Sequence, residues 1–191
     1  MTSLVKNGEY IHQLNYFNNI EAHYLLKNLK ESILWRQEKL KMFGKEIFFP
    51  RLMAFYGDSN ITYSFSRNKY HAVPWTNSLL KIKSKLESDF NCTFNSVLLN
   101  MYRSGKDSMD WHQDNEKELG LNPVIASVNF GATRKFELRN IDTREKINFN
   151  LNHGSLLLMK GETQHFWQHR VAKTKKEVNL RINLTFRHIK L

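Results

Sequence analysis

The sequence predicts an α+β domain in which two helices precede a strand-rich half that closes as a sandwich, jelly roll or barrel. Three observations support this class. Apolar residues recur at intervals of three and four in two stretches of the first half. From Ser96 onward the pattern changes to alternation, or to short apolar runs bounded by polar turns. Seven such runs crowd into the rest of the chain, which leaves no room for the helical crossovers of a βαβ fold.

The first helix is expected from Asn19 to about Arg36. Ile20, Tyr24, Leu25, Leu29 and Ile33 form its apolar face, and Asn18 or Asn19 caps it. Leu40-Lys41-Met42-Phe43 and Glu46-Ile47-Phe48-Phe49 then flank Gly44-Lys45 as a hairpin with Phe43 near its tip. Pro50-Arg51 ends the hairpin, Tyr56-Gly57-Asp58 opens a turn, and Ile61 to Phe65 reads as a short strand. The second helix starts near Pro74-Trp75-Thr76, burying Leu79, Ile82, Leu86 and Phe90 and leaving Lys81, Lys83 and Lys85 to solvent. The strand candidates that follow are Val97 to Tyr102, Val124 to Phe130, Lys135 to Arg139, Ile147 to Leu151, Ser155 to Met159, Phe166 to Val171 and Val178 to Phe186. Asn152-His153-Gly154 and Lys160-Gly161-Glu162 are turns between them.

Composition sets limits on what this fold does. The 191 residues are 41% hydrophobic and 25% charged with 8 Gly and 3 Pro, a globular composition sized for one domain. A single cysteine, Cys92, excludes an intramolecular disulfide framework and a cysteine-based zinc site, and points to a reducing compartment. The amino-terminal stretch has no apolar signal core, and no run is long enough to span a bilayer. The formal charge of +11 suits a polyanionic partner, although charge alone equally serves solubility.

Chemistry concentrates in two places. In Trp111-His112-Gln113-Asp114, an imidazole and a carboxylate two residues apart on extended chain point to one side and can reach one metal ion. A further histidine would complete a two-His-one-carboxylate facial set with open positions on Fe(II); His153, His165 and His169 are the downstream candidates, and spacing does not separate the last two. In Leu180 to Arg187 the alternation is strict, with Arg181, Asn183, Thr185 and Arg187 on one face. That row of donors suits a dicarboxylate, because each guanidinium fork grips a carboxylate bidentately. The bland reading is a half-exposed strand with its charges in water.

With these residues on view, the chain resembles the AlkB family of Fe(II)- and 2-oxoglutarate-dependent dioxygenases. The likeness lies in His-x-Asp, a distal histidine and Arg-x-Asn-x-Thr-x-Arg, and extends over Pro50-Arg51, Tyr56-Gly57-Asp58, Thr62 to Ser66, Phe94 to Tyr102, Ile125 to Gly131 and His153 to Leu156. It covers the chain from about Leu40 to the end and is nearest to the branch that repairs double-stranded DNA. It implies a single domain over residues 1–191 with a double-stranded β-helix (jelly-roll) core at about 94–191. N-terminal helices would pack on one sheet, and a nucleotide-recognition hairpin or lid would span about 37–75. It also selects His169 as the distal ligand.

The resemblance implies that His112, Asp114 and His169 hold Fe(II), and that Asn100, Tyr102, Arg181, Asn183, Thr185 and Arg187 bind 2-oxoglutarate. The implied reaction couples decarboxylation of 2-oxoglutarate to succinate with hydroxylation of an N-methyl group on 1-methyladenine or 3-methylcytosine, which leaves as formaldehyde. A base inside a duplex must be flipped out to react. Tyr63 and Phe65 match base-holding aromatics, with the base between Phe65 and the ring of His112, and Ser66 lies beside them. Phe43 matches a finger residue that fills the gap in the stack, as apolar wedges do. Arg51, Lys45 and the Lys173 to Lys176 run are expected on phosphates.

One position departs from the pattern. The duplex-repairing relatives carry an acid directly after the ligand aspartate, whereas this chain has Asn115 and then Glu116, which puts base preference in question. The expected partner is duplex DNA, with single-stranded DNA and RNA as alternatives, no membrane and a monomeric state. The expected location is bacterial cytoplasm, or the nucleus in a eukaryote. Two other readings stand beside demethylation of DNA: an oxygenase acting on methylated RNA, and a non-catalytic nucleic-acid-binding module with a vestigial metal site.

Overall fold

The computed structural model describes residues 2–42, 44–65 and 68–190, and of Leu40, Lys41, Met42 and Phe65 only the backbone. Phe43 and Ser66, both expected at the nucleic-acid side, lie outside the described residues. The chain opens with strands β1 (Ser3–Val5) and β2 (Gly8–Gln13), helix α1 (Asn19–Ser32) and the hairpin β3 (Lys39–Met42) and β4 (Lys45–Phe48). It continues with β5 (Leu52–Gly57), β6 (Thr62–Phe65), β7 (Asn68–His71), β8 (Val73–Pro74) and helix α2 (Asn77–Phe90). The second half holds β9 (Ser96–Tyr102), β10 (Met109–His112), β11 (Ile125–Gly131), β12 (Arg134–Asn140), β13 (Lys146–Leu151) and β14 (Ser155–Lys160). A one-turn helix α3 (Thr163–Phe166) leads into β15 (Trp167–Val171) and β16 (Arg181–Arg187).

These strands form a major sheet in the order β1-β2-β14-β11-β16-β9-β5-β8 and a minor sheet in the order β10-β15-β12-β13, while β3 with β4 and β6 with β7 pair as separate two-stranded sheets. All pairings are antiparallel except β5 with β8. The two sheets face each other, and α1 and α2 cover the far side of the major sheet, so the molecule has three layers. Strand periodicity explains why the major sheet is buried on both faces. In β9, Val97, Leu99 and Met101 join α1 and α2 in one core, while Leu98 and Tyr102 join Phe136, Leu138 and Val171 in the core between the sheets. Among the described residues no helix is long and apolar enough to cross a membrane.

Asn18 caps α1 through a reciprocal capping box with Glu21. The buried face of α1, however, is Ala22, Leu25 and Leu29, whereas Ile20 is 84% and Tyr24 59% exposed. The expected face is thus rotated, because α1 lies against the turn at Gly154. A Cβ at Gly154 would meet the carbonyl of Phe17 at 2.5 Å and the Cβ of Ala22 at 3.3 Å, which leaves no room there for a large side chain. The α2 expectation places Leu79, Ile82 and Leu86 correctly in the core, with Thr76 as the cap. Tyr56-Gly57-Asp58 leads into the expected turn: Tyr56 and Gly57 end β5, where Gly57 pairs with Ser96 of β9, and the chain reverses from Asp58, whose carbonyl accepts from the Ile61 amide, with Asn60 at φ 70°. The sequence reading also did not anticipate the strands β1, β2, β7 and β8.

Candidate metal and dicarboxylate site

The site lies between the sheets. On β16, Ile182, Leu184 and Phe186 enter the helix-side core, so Arg181, Asn183, Thr185 and Arg187 must face the minor sheet. All seven residues of β16 are buried, which overturns the half-exposed strand reading. Opposite them, the minor sheet brings His112 of β10 against His169 of β15 as paired residues. Their ring centroids are 4.1 Å apart, and Phe136 stacks on His169 at 5.2 Å.

His112, Asp114 and His169 form the group suited to a metal ion, with one potential ligand atom from each lying within 4.8 Å of the others. His153 and His165 are elsewhere. His153 Nδ1 accepts from the Gly131 amide at 2.9 Å, and His165 accepts from the Asn122 amide. The set is held in place by its surroundings. His112 Nδ1 meets the Asp110 carbonyl at 2.8 Å, which leaves Nε2 available as a ligand. The Asp114 amide donates to Gln164 Oε1 at 3.0 Å, and Gln113 Nε2 donates to the carbonyls of Gln164 and His165. Arg187 Nη2 donates to Asp114 Oδ2 at 2.8 Å.

Electrostatics suit a cation here. Burial raises the Asp114 pKa, but the Arg187 guanidinium and then the two histidines outweigh it and hold the carboxyl at about 2. Burial and then His112 push His169 down to about 3, and burial lowers His112 as well. At neutral pH the three groups are therefore a carboxylate and two neutral imidazoles, the protonation states that ligate metal. His169 Nδ1 is buried with no hydrogen-bond partner among the described residues, so core packing alone does not satisfy this ring.

A cavity of about 60 Å³ runs from this group to Arg181. Arg181 is 1% exposed; Nη2 donates to Asn129 Oδ1, while Nε and Nη1 are buried without a partner among the described residues. Its guanidinium stands 4.9 Å from the Tyr102 ring centroid, and burial lowers its pKa to about 10. Asn183 Nδ2 donates to Ser127 Oγ at 2.8 Å, and Thr185 donates to Asn183 Oδ1 at 3.1 Å. Asn100 accepts from Arg51 Nε at 2.7 Å. All six residues expected on a dicarboxylate line this cavity.

The substrate-side expectations are only partly met. Tyr63 and Glu116 line the cavity, where burial raises the pKa of both. Asn115 is exposed, so it is Glu116 that brings a carboxyl to this wall. Arg51, expected on phosphates, is 2% exposed and donates to Asn100 and to the Ser108 carbonyl. It therefore belongs to the cavity wall and not to the outer charged surface. Lys45, Lys173, Lys175 and Lys176 are exposed as expected. Gln164, Asn129, Ser127 and Phe136 escaped the sequence reading. The alternation of Ser127 and Asn129 with apolar neighbours was a usable signal, whereas Gln164 sits in a single turn of helix with none.

Residues 10–187 match the model of the 2OG-Fe(II) oxygenase superfamily. The chain is 42% identical over 181 residues to the alpha-ketoglutarate-dependent dioxygenase alkB homolog 3 of Rattus norvegicus, an alignment covering 88% of this chain and 60% of that protein. It is 37% identical over 186 residues to the DNA oxidative demethylase ALKBH2 of Homo sapiens, covering 92% of this chain and 71% of that one. The chain thus spans less than two thirds of the length of the homolog 3 relative. A solved structure titled "The structure of OsALKBH1" superposes with a TM-score of 0.63 at 16% identity, covering 98% of this chain and 100% of that one, a likeness of fold.

Proposed function

Because the chain belongs to the AlkB family of the 2OG-Fe(II) oxygenase superfamily, we propose that it oxidatively demethylates N-alkylated bases, such as 1-methyladenine and 3-methylcytosine, in DNA. The observation that carries this reading is a buried His-Asp-His group joined by one cavity to a buried arginine that has unused N–H donors and no ion-paired carboxylate among the described residues.

The donor set fits the groups the family requires. His112, Asp114 and His169 would hold Fe(II), the metal expected for two imidazoles and a carboxylate with open positions. Arg181, with Tyr102 and Asn183, would take one carboxylate of 2-oxoglutarate at the deep end, and Arg187 the end beside Asp114. Fe(II) and 2-oxoglutarate together supply the oxidation, consuming dioxygen and leaving succinate and carbon dioxide. The chain's own residues fix orientation and exclude water. Arg187 and Gln164 lock the Asp114 segment, while Leu98, Phe136 and Met159 wall the cavity with apolar surface. Tyr63 and Glu116 face the cavity where a flipped base would enter, and Glu116 supplies an acceptor for an exocyclic amine. Phe65 and His112 would hold the base by stacking, and Phe43 would fill the gap left in the duplex. The lysines at 45, 173, 175 and 176 would meet phosphates.

The test is formaldehyde release from 3-methylcytosine oligonucleotides by protein given Fe(II) and 2-oxoglutarate under air. Activity is expected on DNA and is expected to fall at least 100-fold in His112→Ala and Arg181→Ala, since each removes a group that acts only with the others. Release from RNA alone would replace the DNA reading with the RNA one. Oligonucleotide binding by the wild type without any turnover would leave a binding module.

A further inference from the structure

Arg134 is a buried cation that the proposed reaction leaves unused. It opens β12, is 3% exposed, and stands on the inward side of that strand with Phe136 and Leu138. Its guanidinium is spread over three backbone carbonyls. Nη1 donates to that of Ser104 at 3.1 Å, and Nη2 to those of Asp107 at 3.0 Å and Ala172 at 2.7 Å.

Those carbonyls lie on two connections. Residues 103–108 run from β9, which carries Asn100 and Tyr102, to β10, which ends at His112. Residues 172–180 run from β15, which carries His169, to β16, which begins at Arg181. Each connection therefore links the metal-ligand half of the site to its dicarboxylate half, and Arg134 joins the two. The Thr174 amide adds a direct tie by donating to the Gly105 carbonyl at 2.9 Å. A rigid fork of donors spans carbonyls on separate segments, whereas an ammonium is a single point on a flexible stem.

The charge counts as well as the donors. The Arg134 guanidinium lies 5.7 Å and that of Arg181 4.9 Å from the centroid of the same ring, Tyr102. Burial, and then the nearby Arg134, lower the pKa of Arg181. Asp107 is gripped at both oxygens by Arg103, at 2.7 and 2.9 Å, and neither Arg134 nor Arg181 has an ion-paired carboxylate among the described residues. Two like charges buried around one ring repel each other, and the far carboxylate of a dianion relieves both.

We propose that Arg134 is a positioning and specificity-determining residue for the 2-oxo acid: it holds the metal and dicarboxylate halves together and adds, beside Tyr102, a second positive charge that favours a ligand with a distal carboxylate. The inference rests on the co-substrate reading above. Arg134 is not among the residues that line the cavity, so it acts through Tyr102 and Arg181 and not by contact.

The experiment titrates 2-oxoglutarate into Mn(II)-loaded protein by calorimetry, and 2-oxopentanoate, the same chain without the distal carboxylate, by competition. Arg134→Gln is expected to weaken 2-oxoglutarate about tenfold and 2-oxopentanoate less than about threefold, so that the preference for the dicarboxylate shrinks. Arg134→Lys, which keeps the charge without the fork, is expected to retain most of that preference. Both variants should melt lower than wild type, because neither holds all three carbonyls. In turnover, Arg134→Gln should raise KM for 2-oxoglutarate more than it lowers kcat. Equal losses for the two acids in Arg134→Gln, or wild-type affinity for both, overturns the assignment of specificity to Arg134. Should Arg134→Gln not fold, Arg134→Lys decides: a preference lost in spite of the retained charge overturns it equally. A wild type with no preference for 2-oxoglutarate overturns instead the co-substrate reading beneath it.

Discussion

Arg181 is a full positive charge at 1% exposure, hydrogen-bonded to the Asn129 side-chain oxygen and to Tyr102, with no ion-paired carboxylate among the described residues. A buried cation without a counter-ion costs several kcal/mol, which an anionic ligand would recover on binding. Arg187 is its complement, since its charge is met by Asp114 whether or not a ligand is present. The histidines make the site sensitive to acid. His169 has a folded pKa near 3 against an ordinary 6.5, so the unfolded chain binds its proton first. Its share of stability is full above about pH 6.5 and is lost as pH falls toward 3; Asp114, depressed from 3.8 to about 2, adds a loss below about pH 4. Denaturant midpoints of the metal-free protein are expected to fall steadily from pH 7 to 4, and His169→Gln should flatten that slope. An equal slope in the variant would remove His169 from the account. The pairing of His112 with Asp114 was legible from their spacing, but the choice among His153, His165 and His169 came from family likeness until the sheet pairing placed His169 opposite His112.

At the scale of elements, β16 shows how one strand serves two layers. Its apolar residues dock on the helices while its polar residues line the cavity, so its register is fixed from both sides. That register is anchored by Gly131, which pairs with Arg181 and takes φ 90°. A Cβ at Gly131 would collide with the Leu180 carbonyl. Gly131→Ala is therefore expected to cost about 1–3 kcal/mol of stability and to raise KM for 2-oxoglutarate more than it lowers kcat, by shifting Arg181. An unchanged melting curve and KM would show that the neighbouring backbone yields freely. Helices were legible through their period and caps; α1 ends at Ser32, short of the expected Arg36, and its face is rotated because Ala22 faces the sheet where the Gly154 turn leaves room for a methyl group alone. β5 was not anticipated because its signal is pairing with β9, which extends the strand through Gly57 up to the turn that Asp58 opens.

At the scale of the whole molecule, the site belongs to neither sheet alone. The metal-ligand candidates come from the β10–β15 edge of the minor sheet and the anion donors from the centre of the major sheet, so ligands that bridge them should tie the two sheets together. Mn(II) and 2-oxoglutarate together are expected to stabilise the fold by about 2.7 kcal/mol at a hundredfold excess over Kd, seen as a raised melting temperature. 2-Oxoglutarate without metal should give much less, and Arg181→Gln should abolish its increment. Equal shifts in wild type and Arg181→Gln would place the dicarboxylate elsewhere.

The sequence by itself determined the fold class, the two helices, most of the strands of the second half and the residue types of the site. Each of these follows from local periodicity or from a motif within a few residues. The tertiary structure decided what depends on contacts between distant residues. It buried Arg51 in the cavity wall, set Asn115 outside and Glu116 inside, and enlisted Gln164 and Asn129 as supports. It also divided the +11, committing Arg51, Arg134, Arg181 and Arg187 to the interior and leaving Arg139, Arg170 and the lysines for the surface. Charge is counted along a sequence, but whether it meets water, a carboxylate or a ligand is decided only by which strands pair and which faces they turn inward.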